Sequence, residues 1–233
     1  MTTPIIALDF SSGEEIKDFL KPFSGLDPYV KVGMELYYKE GPQIVYWLIE
    51  RGYRVFLDLK LHDIPNTVKQ GIKNLSGMGV SMLNVHASGG SEMMKYAMEG
   101  LKEGAKGGKE PILIAVTQLT STSDEMLKNE LLIEKPLIDC VLSYAKNAKN
   151  SGLNGVVCSV HESKMIKETI GKDFITVTPG IRLPGDSKGD QARIATPSVA
   201  KKNLSDFIVI GRSITKSNDP VLTYKNIIIE LED

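Results

Sequence analysis

Eight short apolar runs recur along the chain, and each ends at a polar residue or a glycine. They lie near residues 5, 30, 55, 82, 112, 156, 175 and 207. The runs are continuously apolar, which is typical of parallel strands buried on both faces. Between the runs, apolar residues recur at the spacing of a helix, as do Val68, Ile72 and Leu75 after Pro65. Eight strands alternating with helices in 233 residues predict an α/β fold, a single (β/α)8 TIM barrel, rather than an open sheet.

The chain has no Pro-, Ser- or Gly-rich linker that would divide it, so residues 1–233 are expected to form one domain. The segment 103–111, "EGAKGGKEP", is predicted to be one exposed loop before the fifth strand. Cys140 and Cys158 lie in apolar segments without a CxxC pair. They are therefore predicted to be buried thiols of a protein in a reducing compartment.

Charge and hydropathy limit the partners that the chain can have. The formal net charge is −1 and no basic block is present, so no nucleic-acid partner is expected. The apolar start "PIIAL" is too short for a signal peptide, and no run approaches the roughly 18 apolar residues of a membrane span. A cytoplasmic protein without membrane contact is predicted.

The ends of the apolar runs carry an unusual concentration of charge. Asp9 ends the first run, Lys31 lies in the second, and the third runs into "DLKLHDIPNT" with Asp58, Lys60 and Asp63. In a barrel of this kind the active site lies at the carboxyl ends of the strands. Residues two apart in a strand share a face, so Asp58 and Lys60 are predicted to point together into the barrel mouth. A structural ion pair closing the barrel is the alternative, but so many charges at one end of a core favour a functional site.

The carboxylates at positions −2 and +3 of Lys60 favour its protonated form. The pattern therefore predicts an acid that stabilises and protonates a developing negative charge, and it argues against a Schiff-base lysine. Asp58 and Asp63 are hard oxygen ligands. Because Lys31 and Lys60 stand among them, no metal site is predicted.

A phosphate site is predicted after the seventh and eighth strands, where the chain reads "TPGIR" and "GRSIT". Gly211 permits close backbone approach, while Arg182 and Arg212 supply charge. The polar, glycine-rich segment 183–193 is longer than a typical barrel loop and is predicted to be a closing lid, with Gln191 able to hydrogen-bond the substrate.

Five motifs, "ALDF", "KVGMEL", "DLKLHDIPNT", "TPGIR" and "VIGRSIT", occur in that order over nearly the whole chain. With them the chain resembles the bacterial-type orotidine 5′-phosphate decarboxylase family, and the third motif is highly specific. The resemblance implies decarboxylation of orotidine 5′-monophosphate to UMP, the last step of de novo pyrimidine nucleotide synthesis, without a cofactor. Remote binding energy and preorganised electrostatics would then supply the rate.

The resemblance also assigns roles to individual residues. Lys60 corresponds to the proton donor to C6, Asp58 to the carboxylate beside the leaving group, and Lys31 and Asp63 complete an alternating network. A homodimer is implied, in which Asp63 and Thr67 reach the partner's site. The positions implied to bind substrate are Asp9, Lys31, Thr67, Thr120, Pro179, Arg182, Gln191, Gly211 and Arg212. Residues 121–136 carry no motif with an assigned role.

Three other functions are alternatives to this one. A related sugar-phosphate decarboxylase or hexulose-phosphate synthase shares the barrel and a DxKxxD core but works through Mg²⁺, with an acidic ligand where this chain has Lys31. A catalytically silent barrel that only binds a nucleotide would be expected to lack Lys60 or Asp58, and both are present. A protein-binding module predicts no converging charges.

Overall fold

A computed structural model describes residues 2–184, 186 and 194–232 of the chain. Eight parallel strands, β1 to β8, close into a barrel in which each strand pairs with its sequence neighbours and β8 pairs with β1. The predicted (β/α)8 barrel is therefore confirmed. The strands are Thr3–Ala7, Tyr29–Gly33, Arg54–Leu61, Met82–His86, Ile112–Val116, Gly155–Val157, Ile175–Thr178 and Phe207–Ile210.

Helices cover the outside of the barrel. In chain order, α1 to α11 are Gly13–Leu20, Met34–Glu40, Pro42–Glu50, Pro65–Ser76, Gly90–Ala105, Asp124–Asn129, Leu137–Asn150, Val160–Ile170, Pro197–Lys202, Arg212–Thr215 and Pro220–Glu232. Single 3₁₀ turns form at Lys21–Phe23 and Ala87–Gly89. In the described part of the chain, no helix is both long enough and apolar enough to cross a membrane.

Both faces of the strands are buried, which explains why the apolar runs do not alternate. One set of side chains fills the barrel interior and includes Tyr29, Phe56 and Met82. The residues between them, such as Val30 and Leu57, face outward and pack under the helices. Burial of alternate residues on opposite sides is the pattern expected of parallel strands in a barrel.

The segment 103–111 is only partly the loop that the sequence predicted. Helix α5 continues through Ala105, and the chain leaves the helix at Lys106, whose φ is 48°. A Cβ placed on Gly104 would collide with the backbone carbonyl oxygen of Lys73 in α4. Close packing of α5 on α4 therefore extends the helix through a glycine that local propensity would place outside it.

The two cysteines were predicted correctly as buried thiols. Both Cys140 and Cys158 are reduced thiols outside any disulfide, and both are buried. Cys158 follows β6 and lines the large pocket at the barrel mouth.

Candidate active site

A pocket of about 1060 Å³ opens at the carboxyl ends of the strands. Its floor is the upper end of the barrel interior, and its walls are residues at or after the ends of β1, β2, β3, β5, β6, β7 and β8. Side chains that point inward in β1 and β3 are Ala7 and Phe56, and the next inward positions are Asp9 and Asp58. The alternation of the strands thus delivers charged groups to the pocket just where the apolar interior ends.

Four of the predicted residues form a continuous row of alternating charge. The Lys31 Nζ lies 3.0 Å from Asp9 Oδ1 and 3.5 Å from Asp58 Oδ2. The Lys60 Nζ lies 2.7 Å from Asp58 Oδ1. The row runs Asp9, Lys31, Asp58, Lys60 across β1, β2 and β3, so two ammonium groups flank one buried carboxylate.

The surroundings of Asp58 and Lys31 keep both groups charged. Burial alone would raise the pKa of Asp58, but the ammonium groups of Lys31 and Lys60 outweigh it and hold that pKa below its ordinary value. Burial would lower the pKa of Lys31, but the carboxylates of Asp58 and Asp9 outweigh it and raise that pKa. Lys31 and Asp58 are therefore an ionised pair at the pocket floor.

Lys60 does not have the extended backbone that the strand pattern predicts. Its φ is 53°, in the left-handed region, and the pairing of β3 with β4 shifts register between Leu57 and Leu61. The Lys60 side chain still reaches Asp58. The prediction that the two residues share the barrel mouth is thus confirmed, although by an irregular strand end.

Asn84 in β4 is a site residue that the sequence reasoning missed. Its Nδ2 donates to Asp58 Oδ1 at 2.6 Å, and its Oδ1 accepts from the Lys60 backbone N–H at 2.8 Å. The available signal was one polar residue inside the apolar run "MLNVH". It stands two residues after the inward-facing Met82, so alternation places it at the mouth.

Asp63 and Thr67 lie away from this row. Both are exposed and outside the pocket within their own chain. The Asp63 Oδ1 accepts from the backbone N–H of the neighbouring Ile64 at 2.6 Å. Ile64 is itself 68% exposed, although it is a large apolar residue.

The wall of the pocket after β7 and β8, next to the Asp9 end of the row, carries the residues predicted to bind phosphate. Pro179, Arg182, Gly211 and Arg212 all line it. Arg182 is buried, and its Nη1 donates to the Ile181 carbonyl oxygen at 2.8 Å. Arg212 is the first residue of α10 and is exposed. The pocket therefore has a cationic wall after β7 and β8 and a row of mixed charge over β1 to β3.

Thr120, which follows β5, also lines the pocket. Gln191 lies outside the described residues, as does most of the predicted lid, whose described members are 183, 184 and 186 among residues 183–193. In the described ranges, no group of three or more His, Cys, Asp or Glu side chains is placed to hold a metal ion.

Comparison with known proteins places this geometry in a family. A model of the orotidine 5′-phosphate decarboxylase / HUMPS family matches residues 2–227. The chain is 57% identical over 227 residues to an orotidine 5′-phosphate decarboxylase of Bacillus licheniformis, covering 97% of this chain and 95% of the relative. It is 56% identical to one of Bacillus cereus, covering 96% and 94%. The crystal structure of orotidine 5′-phosphate decarboxylase from Lactobacillus acidophilus is similar, with TM-score 0.90, 45% identity and 99% of each chain covered.

Proposed function

The chain belongs to the orotidine 5′-phosphate decarboxylase / HUMPS family, and we propose that it converts orotidine 5′-monophosphate to UMP without a metal or cofactor. The observation that carries the proposal is the Lys60 ammonium, fixed 2.7 Å from Asp58 at the floor of a nucleotide-sized pocket. A cation held at that point can meet negative charge developing on a bound ring.

The substrate would span the pocket from its cationic wall to its charged floor. Arg182 and Arg212 would bind the phosphate, since guanidinium groups suit phosphate oxygens. Asp9 and Lys31 would contact the ribose, and Thr120 the pyrimidine. Pro179 and Gly211 would shape the wall beside the phosphate, and Gln191 would reach the substrate from the lid. This orientation brings C6 of the pyrimidine toward Lys60.

The reaction then needs one bond broken and one formed. The bond between C6 and the carboxylate carbon breaks, CO2 leaves, and the electron pair stays on C6. Lys60 stabilises this carbanion and donates a proton from Nζ to C6, which gives UMP; solvent returns the proton to the lysine. No oxidant or reductant takes part, so the chain's own residues can account for the whole step.

Asp58 would have two roles. Its carboxylate orients both ammonium groups, as the distances to Lys31 and Lys60 indicate. It would also stand beside the substrate carboxylate, whose departure relieves the repulsion between the two anions. A charged Asp58 is favoured by the lowering of its pKa.

Asp63 and Thr67 would act in a second subunit. Both are exposed at the end of β3 and the start of α4, next to the exposed apolar side chain of Ile64. Docking of this edge on a second copy would bury Ile64 and carry the Asp63 carboxylate into the partner's pocket. The proposed active unit is therefore a homodimer.

The proposal is tested by offering the purified protein two substrates. We expect loss of pyrimidine absorbance with orotidine 5′-monophosphate in the presence of EDTA, at a rate that added Mg²⁺ does not change. Turnover only of a hexulose or other sugar phosphate, and only with Mg²⁺, would assign the pocket to the metal-dependent chemistry instead.

A further inference from the structure

Asn84 joins the two central residues of the charged row through both ends of its amide. It is 1% exposed and lies in β4, beside the strand that carries Asp58 and Lys60. Its Nδ2 donates to the Asp58 carboxylate and its Oδ1 accepts from the Lys60 N–H. A carboxylate can only accept and a backbone N–H can only donate, so the two partners fix the amide orientation.

The backbone of Lys60 requires such an acceptor. Between the pairs Leu57 with Leu83 and Leu61 with Val85, β3 advances four residues while β4 advances two. The extra residues form a bulge that interrupts the ladder, and Asn84 supplies a side-chain acceptor for the Lys60 N–H. A lysine at φ 53° is unfavourable and persists only where its surroundings hold it.

We propose that Asn84 is a positioning residue that holds the Lys60 ammonium and the Asp58 carboxylate in register for the reaction at C6. The inference rests on the proposed decarboxylation and deepens it. One hydrogen bond fixes the backbone from which the Lys60 side chain starts. The other restrains Asp58 Oδ1, to which the Lys60 ammonium also donates.

Loss of Asn84 should affect the transition state of the reaction more than substrate binding. Charge appears on C6 only when CO2 leaves, so a displaced ammonium weakens stabilisation of the carbanion more than it weakens substrate binding. Misplacement of a catalytic group by about 1 Å can reduce a rate by about 10²-fold. Loss of Asn84 should therefore lower kcat by about that factor while leaving KM for orotidine 5′-monophosphate nearly unchanged.

Asn154 provides a matched control. Its Oδ1 accepts from the Leu113 backbone N–H at 2.8 Å, so it makes the same kind of bond, but at the opposite end of the barrel. The Asn154→Ala variant should keep the kcat of the parent protein. The Asn84→Ala variant should have a lower kcat than the parent protein. It should bind UMP with the parental affinity, which would show that the pocket is intact.

A second variant separates positioning from packing. Asn84→Asp keeps the shape but sets a second carboxylate against Asp58, and two carboxylates that share a site raise one pKa. When protonated, the new side chain can donate to Asp58 and accept from the Lys60 N–H, as the amide does. Among the described residues, the charged or titratable groups that interact with Asp58 are Lys60 in β3, Lys31 in β2 and His86 in β4. These groups are present in the parent too.

The kcat of Asn84→Asp relative to the parent should therefore rise as the pH falls, while the same ratio for Asn84→Ala stays flat. An Asn84→Ala protein with parental kcat would overturn the inference. So would two ratios with the same pH dependence, because a purely structural role predicts that result.

Hydrogen exchange of the Lys60 amide supplies a readout that needs no turnover. Exchange should be faster in Asn84→Ala than in the parent and unchanged in Asn154→Ala. If the parent protein does not decarboxylate orotidine 5′-monophosphate, the proposed function fails on its own. The inference about Asn84 is then judged by exchange, and equal protection of Lys60 in parent and Asn84→Ala would overturn it.

Discussion

Asp58 is the residue that the rest of the charged row surrounds. Its two oxygens face donors from its own strand and from the two strands beside it: Lys60 in β3, Lys31 in β2 and Asn84 in β4. Breaking a buried ion pair leaves an uncompensated charge, which is strongly destabilising. The row is thus a tightly constrained part of the barrel mouth as well as the proposed catalytic centre.

The sequence predicted the members of this row but not its exact geometry. Asp9, Lys31, Asp58 and Lys60 could be found because each stands at or near the end of an apolar run. The left-handed backbone of Lys60 could not be predicted, because strand alternation assumes a regular ladder. The ladder between β3 and β4 is interrupted by a bulge. The contacts of Asn84 depend on the register of two strands, which a single sequence does not specify.

His86 should make stability depend on pH. Burial, followed by the neighbouring side chains of His62 and Lys60, lowers the pKa of His86 from its ordinary value, and Asp58 only partly opposes this. The unfolded chain therefore binds a proton more readily than the folded one. The contribution of neutral His86 is present above about pH 6.5 and is lost as the pH falls through the lower, folded pKa.

We accordingly expect the melting temperature to fall between pH 7 and pH 5, and to fall less in His86→Gln. His161→Gln is the control, because His161 is exposed on α8. Thermal unfolding at a series of pH values measures the melting temperatures of the parent and of both variants. An equal fall in the parent and in His86→Gln would contradict this assignment.

At the scale of elements, helices α4 and α5 pack closely against each other. Gly100 and Gly104 let the two backbones approach, since a Cβ on either would collide with α4 carbonyl groups. Lys69 and Lys73 of α4 pair with Glu99 and Glu103 of α5 along the edge of the contact. The sequence placed Gly104 in a loop because glycine is a poor helix former, whereas tertiary packing requires it inside the helix.

Gly104→Val should lower the free energy of unfolding by about 1–3 kcal/mol, as overpacked sites do. Gly77→Ala is the matched control, because a Cβ at Gly77 has its nearest neighbour at 3.4 Å, an ordinary contact. Urea unfolding of both variants measures the difference. A Gly104→Val protein as stable as the parent would show that the helices can separate freely.

At the scale of the whole molecule, the proposed dimer explains why two residues of the most specific motif face solvent. Asp63 and Thr67 follow Lys60 by only a few residues, yet they lie outside its pocket. Sequence alone cannot place such residues, because their position in the site would be set by a second copy. Barrel closure, in contrast, follows from the count of strands and their burial.

Mixing two variants tests this arrangement. Lys60→Ala and Asp63→Ala should each be nearly inactive, but a mixed dimer would contain one site with both residues intact. With free exchange of subunits, half of the dimers are mixed, so about a quarter of the parental activity should return. No recovery in a mixture shown by mass measurement to contain mixed dimers would contradict a shared site.

The most direct test of the central claim is kcat for orotidine 5′-monophosphate in EDTA, compared between the parent and Lys60→Ala. Lys164→Ala is the control, since Lys164 is an exposed lysine on α8 outside the pocket. We predict that Lys60→Ala lowers kcat by about 10⁴-fold or more, because one group supplies both proton transfer and charge stabilisation, and that Lys164→Ala does not change it. A Lys60→Ala protein that still turns over at the parental rate would contradict the account.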